Sequence, residues 1–259
     1  MTLRGRSALV IGGGRNIGKG IAVALAQAGA DVAVSGGSQR AEAEATAAKI
    51  RAMGVRSAGL VGDAGSRAEV ARVAKEAAAA VGPIGILVYT PAIRPHQATL
   101  DITDEDWERV LAVNLRGAFF AAQAVLPGMV EQGWGRIILI SGLIGITGAN
   151  GSVHVATSKA GLLGLSRGLA LEFAAQGVTV NTIVPGTFDT DRPKEWVLSE
   201  HRRFAGPSRA VADGQRSIIP VGRLGKTEEI GALAAYLASE AAAFMTGQSV
   251  HLNGGMYVT

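Results

Sequence analysis

The sequence predicts an α/β fold in which seven parallel strands form one doubly wound sheet with helices on both faces. Two observations lead to this prediction. Short runs of β-branched and aliphatic residues alternate with longer alanine-rich segments of helical periodicity, which is the pattern of repeated β-α-β units. The chain has 259 residues, of which 48% are hydrophobic, and it contains no internal repeat or linker. We therefore expect a single domain spanning residues 1–259.

The predicted strands are continuous apolar runs, as expected where helices cover both faces of a sheet. They span Ser7–Ile11, Asp31–Ser35, Ser57–Val61, Ile84–Tyr89, Arg136–Ser141, Val178–Val184 and Ser249–Leu252. The helical periodicity predicts helices at Ile17–Ala28, Arg40–Met53, Arg67–Val81, Trp107–Glu131, Ser152–Gln176 and Thr227–Ala238. One long irregular stretch remains at about 186–222, and a loop of that length in a compact domain is usually functional.

Composition argues against several classes of function. The chain has no cysteine, so disulfides, thiolate chemistry and thiolate metal sites are impossible. Its net charge of +4 is small and its basic residues are scattered, which argues against nucleic acid and membrane surfaces as partners. No uninterrupted apolar run reaches the ~18 residues of a membrane span, and the N-terminal run Ala8–Ile11 is too short for a secretion signal. We therefore predict a cytoplasmic protein.

A glycine-rich segment directly follows the first predicted strand. Residues 12–18 read GGGRNIG and lead into the first predicted helix. Glycines allow backbone N–H groups to approach a pyrophosphate, and a helix N-terminus favours negative charge. Asn16 interrupts the glycines, but Asn tolerates the left-handed backbone better than other non-glycine residues. The candidate dinucleotide-binding residues are Gly12, Gly14, Arg15, Asn16, Ile17 and Gly18.

Four further segments complete a resemblance to a known family. Asp63 follows the third predicted strand, and Asn114 lies in the sequence VNLRG. Lys159 lies in the sequence SKAG at the start of an apolar helix, and Thr190 follows a Pro-Gly turn. With these motifs the chain resembles the short-chain dehydrogenase/reductase family along almost its whole length, in particular its 3-oxoacyl-(acyl-carrier-protein) reductases.

The resemblance implies a Rossmann-type fold that binds NAD or NADP and acts on a small carbonyl or alcohol substrate. It implies that Asp63 contacts the adenine, that Thr190 contacts the nicotinamide side, and that Lys159 holds the nicotinamide ribose. It further implies that Asn114 holds a water molecule of a proton relay. The irregular segment 186–222 would then form a lid over the substrate.

Five departures from the family pattern fall at the implied site. Gly142 and Val155 stand where the family has its catalytic Ser and Tyr, and neither side chain can donate a proton. Ile11 replaces a Thr, Asn16 replaces a Gly, and Tyr89–Ala92 (YTPA) replaces Asn-Asn-Ala-Gly beneath the cofactor. We therefore expect an incomplete catalytic centre and cofactor binding that is weakened or lost.

Four side chains could replace the missing tyrosine as proton donor. Ser141 should point away from the site, because neighbours on a strand face opposite sides. Ser152 shares a helical face with Val155, but it could be only a helix cap. His154 titrates near neutral pH, yet it lies about 100° around the helix from Val155. Tyr89 could offer its phenol at the sheet edge or could fill the altered floor of the cofactor site.

The second predicted strand indicates which dinucleotide is preferred. A carboxylate at its end would hold the ribose 2′-hydroxyl of NAD, but the chain has Gly36 there. Arg15 and Arg40 could instead meet a 2′-phosphate. We therefore favour NADP over NAD.

Two functions remain open from the sequence. The chain is either an NAD(P)-dependent oxidoreductase or a catalytically silent homologue that pairs with an active paralogue. In the family, subunits assemble through the two long helices that match Trp107–Glu131 and Ser152–Gln176, so a homo-oligomer or a hetero-oligomer is expected. These helices carry small residues that permit close contact: Ala118, Ala121, Ala122, Gly161, Gly164 and Gly168.

Overall fold

A computed structural model describes residues 2–191 and 219–258. Seven parallel strands form one sheet with the order β3-β2-β1-β4-β5-β6-β7. The strands are β1 (Ser7–Ile11), β2 (Asp31–Gly36), β3 (Ser57–Val61), β4 (Ile84–Tyr89), β5 (Gly135–Ile140), β6 (Val178–Pro185) and β7 (Ser249–Leu252). The predicted doubly wound parallel sheet and single domain are therefore confirmed.

Helices cover both faces of this sheet. They are α1 (Asn16–Gln27), α2 (Arg40–Arg51), α3 (Arg67–Val81), α4 (Asp104–Leu111), α5 (Gly117–Glu131), α6 (Ile144–Thr147), α7 (Val153–Phe173) and α8 (Thr227–Leu237). One buried apolar cluster joins the sheet to α1, α2 and α8. A second cluster on the opposite face joins it to α3, α5 and α7. The core thus consists of two layers that hold the sheet rigidly between them.

The long helix predicted at Trp107–Glu131 begins earlier, at Asp104. Thr103 and Asp106 form a capping box there, in which each side chain bonds the other residue's backbone N–H. A π-helical stretch, Ala112–Arg116, joins α4 to α5, so the helix continues from 104 to 131. Such π-bulges are frequent at functional sites, and this one contains Asn114.

The helix Asp104–Glu131 also bears on the expectation that the chain has no membrane span. Among the described residues it is the one helix long and apolar enough to cross a bilayer by length and composition, and 56% of the most apolar stretch is buried inside the protein. Its apolar face packs against the sheet, since Ala118, Ala121 and Ala122 belong to the second core cluster. A core helix of this kind passes the same test of length and composition.

The strand order places a topological switch point between β1 and β4, where ligands of open α/β sheets bind at the carboxyl ends of the strands. The loops that follow β1, β4, β5 and β6 meet at this edge. The segment predicted as a lid, 186–222, lies only partly in the described chain, because 192–218 are outside the described residues.

Candidate functional site

The glycine-rich loop after β1 is tightly wrapped. Gly12 has a φ of 82°, and a side chain there would collide with the hydroxyl of Thr90. A side chain at Gly18 would collide with the carbonyl oxygen of Gly12. These glycines are therefore required for the loop to fold back onto the start of α1.

Asn16 adopts the left-handed backbone conformation that the sequence predicted for it. Its φ is 50°, and it is the only non-glycine residue with positive φ among residues 2–191 and 219–258. Its side-chain oxygen also accepts a hydrogen bond from the backbone N–H of Asp191 at 3.0 Å. Asn16 thus ties the loop to the segment that follows β6, a contact that no sequence motif predicts.

The start of α1 has the features of an anion site. Arg15 occupies the N-cap position but makes no side-chain cap, so no capping side chain takes the N–H groups of the first turn. Gly14 lies close to α2, where the Thr46 hydroxyl donates to its carbonyl oxygen at 2.9 Å. Ile17 is partly buried against the first core cluster, which fixes the helix start. A cradle of glycines around an uncapped helix N-terminus fits the pyrophosphate of a dinucleotide.

Asp63, which follows β3, is hydrogen-bonded to two neighbouring residues. Its carboxylate accepts from the Gly65 N–H at 2.9 Å and from Arg109 at 3.0 Å. The Gly65 N–H first and the Arg109 guanidinium second hold the pKa of Asp63 below its usual value, against the opposing effect of burial. Asp63 thus stabilises the turn that includes Gly65. Its side chain is 46% exposed, so the carboxylate also faces solvent.

The end of β2 bears no carboxylate, in line with the preference expected for NADP. Arg40 is the first residue of α2 and is exposed. Arg15 lies 3.8 Å from Glu42 in an ion pair whose members are 63% and 37% exposed. Such exposed pairs contribute little stability. A 2′-phosphate could therefore displace Glu42 from Arg15 at little cost in free energy.

Asn114 is fully buried and bonds two other parts of the site. Its amide pairs reciprocally with Ile93, accepting from the backbone N–H at 2.8 Å and donating to the carbonyl at 2.9 Å. It also donates to the hydroxyl of Ser158 at 3.0 Å, and that hydroxyl donates to the carbonyl of Val155 at 2.7 Å. The π-helical stretch therefore holds the segment after β4 against α7.

Lys159 points to the carboxyl end of β5. It is 1% exposed, and its ammonium group donates to the carbonyl oxygen of Ile140 at 2.7 Å. Burial, and then the nearby Arg94 guanidinium, hold the pKa of Lys159 well below its usual value. The Ser141 hydroxyl donates to the backbone carbonyl of Lys159 at 2.8 Å and so fixes α7 against β5.

The two positions that lack the family's hydroxyls offer no proton donor. Val155 is 1% exposed and purely aliphatic. Among the described residues, a side chain at Gly142 would meet only Ile144 within 4 Å, at 3.7 Å. Asn114 is bonded to Ser158, the residue before Lys159 on α7, and Val155 lies one turn before Lys159 on the same helix.

Two of the four candidate donors are already occupied. Ser141 points to α7, as expected from strand alternation, and its hydroxyl is bonded to Lys159. The phenol of Tyr89 is not offered to the site, which corrects one of the two alternatives considered for it. Its ring lies fully buried in the second core cluster, and its hydroxyl donates to the carbonyl of Val113. Burial raises the pKa of Tyr89, so its phenol keeps its proton.

The other two candidates are both buried. His154 is fully buried, and neither ring nitrogen has a hydrogen-bond partner within residues 2–191 and 219–258. Burial lowers the pKa of His154, partly offset by the negative charge of Asp106. Ser152 is the N-cap residue of α7 by position, but its hydroxyl makes no cap bond. Ser152 is itself buried, at 9% exposure, so it differs from His154 only slightly in accessibility.

The segment after β4 contributes residues that the sequence motifs did not single out. Thr90 donates through its backbone N–H at 3.0 Å and through its hydroxyl at 2.9 Å to the carbonyl oxygen of Ile11. Thr90 thus joins β1 and β4 at the switch point despite the altered YTPA sequence.

The chain is similar to known proteins over its whole length. A family model described as enoyl-(acyl carrier protein) reductase matches residues 12–257. The 3-oxoacyl-(acyl-carrier-protein) reductase FabG of Pseudomonas aeruginosa is 37% identical over 259 residues, which are 100% of both chains. A protein assigned as a short-chain alcohol dehydrogenase from Sinorhizobium meliloti is 35% identical with a TM-score of 0.89, covering 98% of this chain and 97% of that one. A blue fluorescent protein from a metagenomic library, in complex with NADPH, is 32% identical with a TM-score of 0.85 and covers 100% of both chains.

Proposed function

The chain belongs to the short-chain dehydrogenase/reductase family of NAD(P)-dependent oxidoreductases, and from that premise we propose that it binds NADPH but has an incomplete catalytic centre. On its own it would carry out little carbonyl reduction or alcohol oxidation. The observation that carries the proposal is the combination of Lys159 and Asn114 with Val155, whose side chain has no proton to give.

Different residues of the site would bind different parts of the proposed cofactor. The proposed cofactor-binding residues are Gly12, Gly14, Arg15, Asn16, Ile17 and Gly18 at the pyrophosphate, Asp63 at the adenine, Thr190 at the nicotinamide and Lys159 at its ribose. The bound nicotinamide would supply a hydride to a substrate carbon. NADP is favoured over NAD because the end of β2 bears Gly36 and no carboxylate, while Arg15 and Arg40 stand nearby.

The catalytic half would bind and orient a ligand without protonating it. Positioned proton transfer typically contributes about 10²–10⁴ in rate. Tyr89 and Ser141 already donate their hydroxyl protons to backbone carbonyls, and His154 is buried away from solvent. Asn114 is committed to Ile93 and Ser158. These contacts support the proposal that the site binds a ligand but has no general acid.

A second candidate is an active oxidoreductase on a small carbonyl or alcohol substrate. The position of Ser152 favours it, because its hydroxyl makes no cap bond to α7 and could orient the substrate oxygen while water supplies the proton. A bare Ser hydroxyl is a poor acid, so the rate would remain low. We rank this candidate below the incomplete catalytic centre.

The alternative role for an inactive chain is that of a structural or ligand-binding partner of an active paralogue. The helices that would pack against another subunit carry apolar side chains on their surface, with Phe119 39% exposed and Leu171 88% exposed. A homo-oligomer of this chain would use the same helices. The cytoplasmic location also remains a prediction.

The proposal is tested by titrating the purified protein with NADPH and NADH in a calorimeter. We expect saturable micromolar binding, tighter for NADPH, and a loss of about tenfold or more in Lys159→Ala. Lys49→Ala, on the exposed face of α2, should bind like the wild type. Turnover of a short 3-oxoacyl thioester with NADPH should stay near background. A failure to bind either dinucleotide, or rapid turnover, would contradict the proposal.

A further inference from the structure

A hydrogen bond between Asn16 and Asp191 joins two distant parts of the chain. The side-chain oxygen of Asn16 accepts from the backbone N–H of Asp191 at 3.0 Å, across 175 positions of sequence. Asn16 is the first residue of α1, and Asp191 lies in the segment 186–191 that follows β6. Among the described residues, Asn16 is the one acceptor for this N–H. We call this hydrogen bond the latch.

The segment 186–191 is itself held in place on its other side. Phe188 forms a parallel β-bridge with Gly225 and is 2% exposed. The backbone N–H of Asp189 donates to the carbonyl of Gly225 at 2.8 Å, and that of Gly225 donates to the carbonyl of Thr187 at 3.0 Å. A side chain at Gly225 would collide with the ring of Phe188. The latch therefore fastens α1 to a firmly anchored segment.

The latch exists because Asn16 brings a side chain to a position where the family pattern has glycine. Asn16 adopts a φ of 50°, a conformation that glycine also adopts freely. A glycine has no side-chain atom that could reach the backbone of Asp191. The departure from the family pattern thus keeps the shape of the loop and adds one hydrogen bond.

The latch lies at the end of α1 where the proposed pyrophosphate site is. α1 has 12 residues, and its N-cap residue, Arg15, makes no side-chain cap. The N–H groups of the first turn point out of the helix at this end, and a bound pyrophosphate would contact them. The latch draws the segment 186–191 to the same end of the helix. A dinucleotide that enters or leaves the site must therefore pass this segment.

We propose that the latch controls how fast a dinucleotide enters and leaves the site. It needs no ligand to form, since both of its atoms belong to the protein, so it must open for both binding and release. The backbone of Asn16 stays part of the proposed pyrophosphate cradle, while its side chain acts through Asp191, which makes Asn16 a positioning residue. The inference rests on the proposed function and adds to it the control of cofactor exchange.

The test measures the rates of NADPH binding and release by stopped-flow fluorescence of the full-length protein. Asn16→Gly removes the latch and keeps the backbone conformation. One hydrogen bond contributes modestly, so we expect both rate constants to rise about two- to tenfold while Kd changes by less than about twofold. A side chain that merely holds the loop in shape would instead lower the affinity for NADPH when it is removed. Unchanged rate constants, or weaker binding with an unchanged association rate, would overturn the inference.

Hydrogen exchange without cofactor tests the latch itself. In Asn16→Gly the amide of Asp191 should exchange faster, while the amides of β1 stay protected. Asn16→Asp keeps a side-chain oxygen and tolerates the left-handed backbone, so it should restore slow exchange at Asp191. Asn150→Gly, at an exposed position before α7, is the matched control and should behave like the wild type in both measurements. Exchange at Asp191 that Asn16→Gly does not accelerate would also overturn the inference.

The outcomes separate this inference from the proposed function. A wild-type protein that binds neither NADPH nor NADH would overturn the proposed function, and with it the control of exchange that rests on it. Saturable NADPH binding with the same rate constants in the wild type and Asn16→Gly would sustain the proposed function and overturn the inference alone. Faster binding and release in Asn16→Gly with a nearly unchanged Kd would support both.

Discussion

Lys159 carries an ammonium group that the fold withdraws almost completely from solvent. It is 1% exposed and has one acceptor among the described residues, the carbonyl of Ile140 at 2.7 Å. Removing a charge from water is unfavourable unless it is well paired. The folded protein without ligand should therefore be less stable for having this lysine.

The variant Lys159→Met tests that cost directly. The folded-state pKa of Lys159 is lowered from its ordinary value of 10.5, so the unfolded chain binds the proton more tightly. The resulting penalty is present below pH 10.5 and disappears as pH rises towards that value. Denaturation at pH 7 without ligand should show Lys159→Met to be more stable than the wild type. This difference in stability should become smaller as the pH rises from 7 to 9.

Lys49→Met serves as the control for this comparison, because Lys49 is exposed on α2. It should change stability little at any pH in that range. A Lys159→Met protein that is clearly less stable than the wild type would contradict this account of the buried ammonium.

His154 should make the protein sensitive to mild acid. Burial lowers its folded-state pKa from the ordinary 6.5, against the smaller opposing effect of Asp106, so protonation favours the unfolded chain. Stability is complete above pH 6.5 and falls as pH drops below that value towards the folded-state pKa. Denaturation between pH 7 and 5 should show a steeper loss in the wild type than in His154→Gln. His96→Gln, at an exposed position, should keep the wild-type slope; equal slopes in all three proteins would contradict the assignment.

At the scale of elements, the segment after β4 organises the site more than its departure from the family pattern suggests. Thr90 bonds it to β1, Asn114 bonds it to the π-helical stretch, and Gln97 bonds it to Gly151 and to Asp106. The π-helical stretch lets one buried amide reach both Ile93 and Ser158. A group described for proton relay in relatives thus has a structural task here.

Asn114→Ala should loosen this segment. The change leaves the backbone N–H and carbonyl of Ile93 without partners in a partly buried position, so we expect a loss of about 1–3 kcal/mol in unfolding free energy. Hydrogen exchange should show faster exchange of the Ile93 amide while the amides of β4 stay protected. Asn150→Ala, at an exposed position before α7, is the matched control. Unchanged exchange at Ile93 would show that Asn114 does not hold the segment.

At the scale of the whole molecule, local patterns predicted the architecture well. The bounds of β1, β3, β4 and β7 agree with the prediction because buried parallel strands are short apolar runs with clear ends. The start of α4 was predicted late because its capping residues, Thr103 and Asp106, precede the apolar periodicity. The π-helical stretch has no sequence signature of its own, so the long helix was expected to be regular.

Some features of the candidate site were predictable from the sequence and others were not. The conformation of Asn16 and the direction of Ser141 followed from residue chemistry and strand alternation. The buried position of Tyr89 did not, because it depends on a bond to Val113, which is distant in sequence.

The double variant Gly142→Ser with Val155→Tyr tests whether restoring two groups restores an enzyme. A serine fits at Gly142, where the nearest atom to a new side chain lies at 3.7 Å. A competent acid is worth about 10²–10⁴ in rate, yet we expect less than about tenfold, because the altered segment Tyr89–Ala92 remains. Turnover of a 3-oxoacyl thioester with NADPH gives the answer, with cofactor binding and thermal unfolding as checks on folding. Val153→Tyr, at an exposed position on the same helix, is the control, and a rise of about a hundredfold or more in the double variant alone would reject the silent-subunit role.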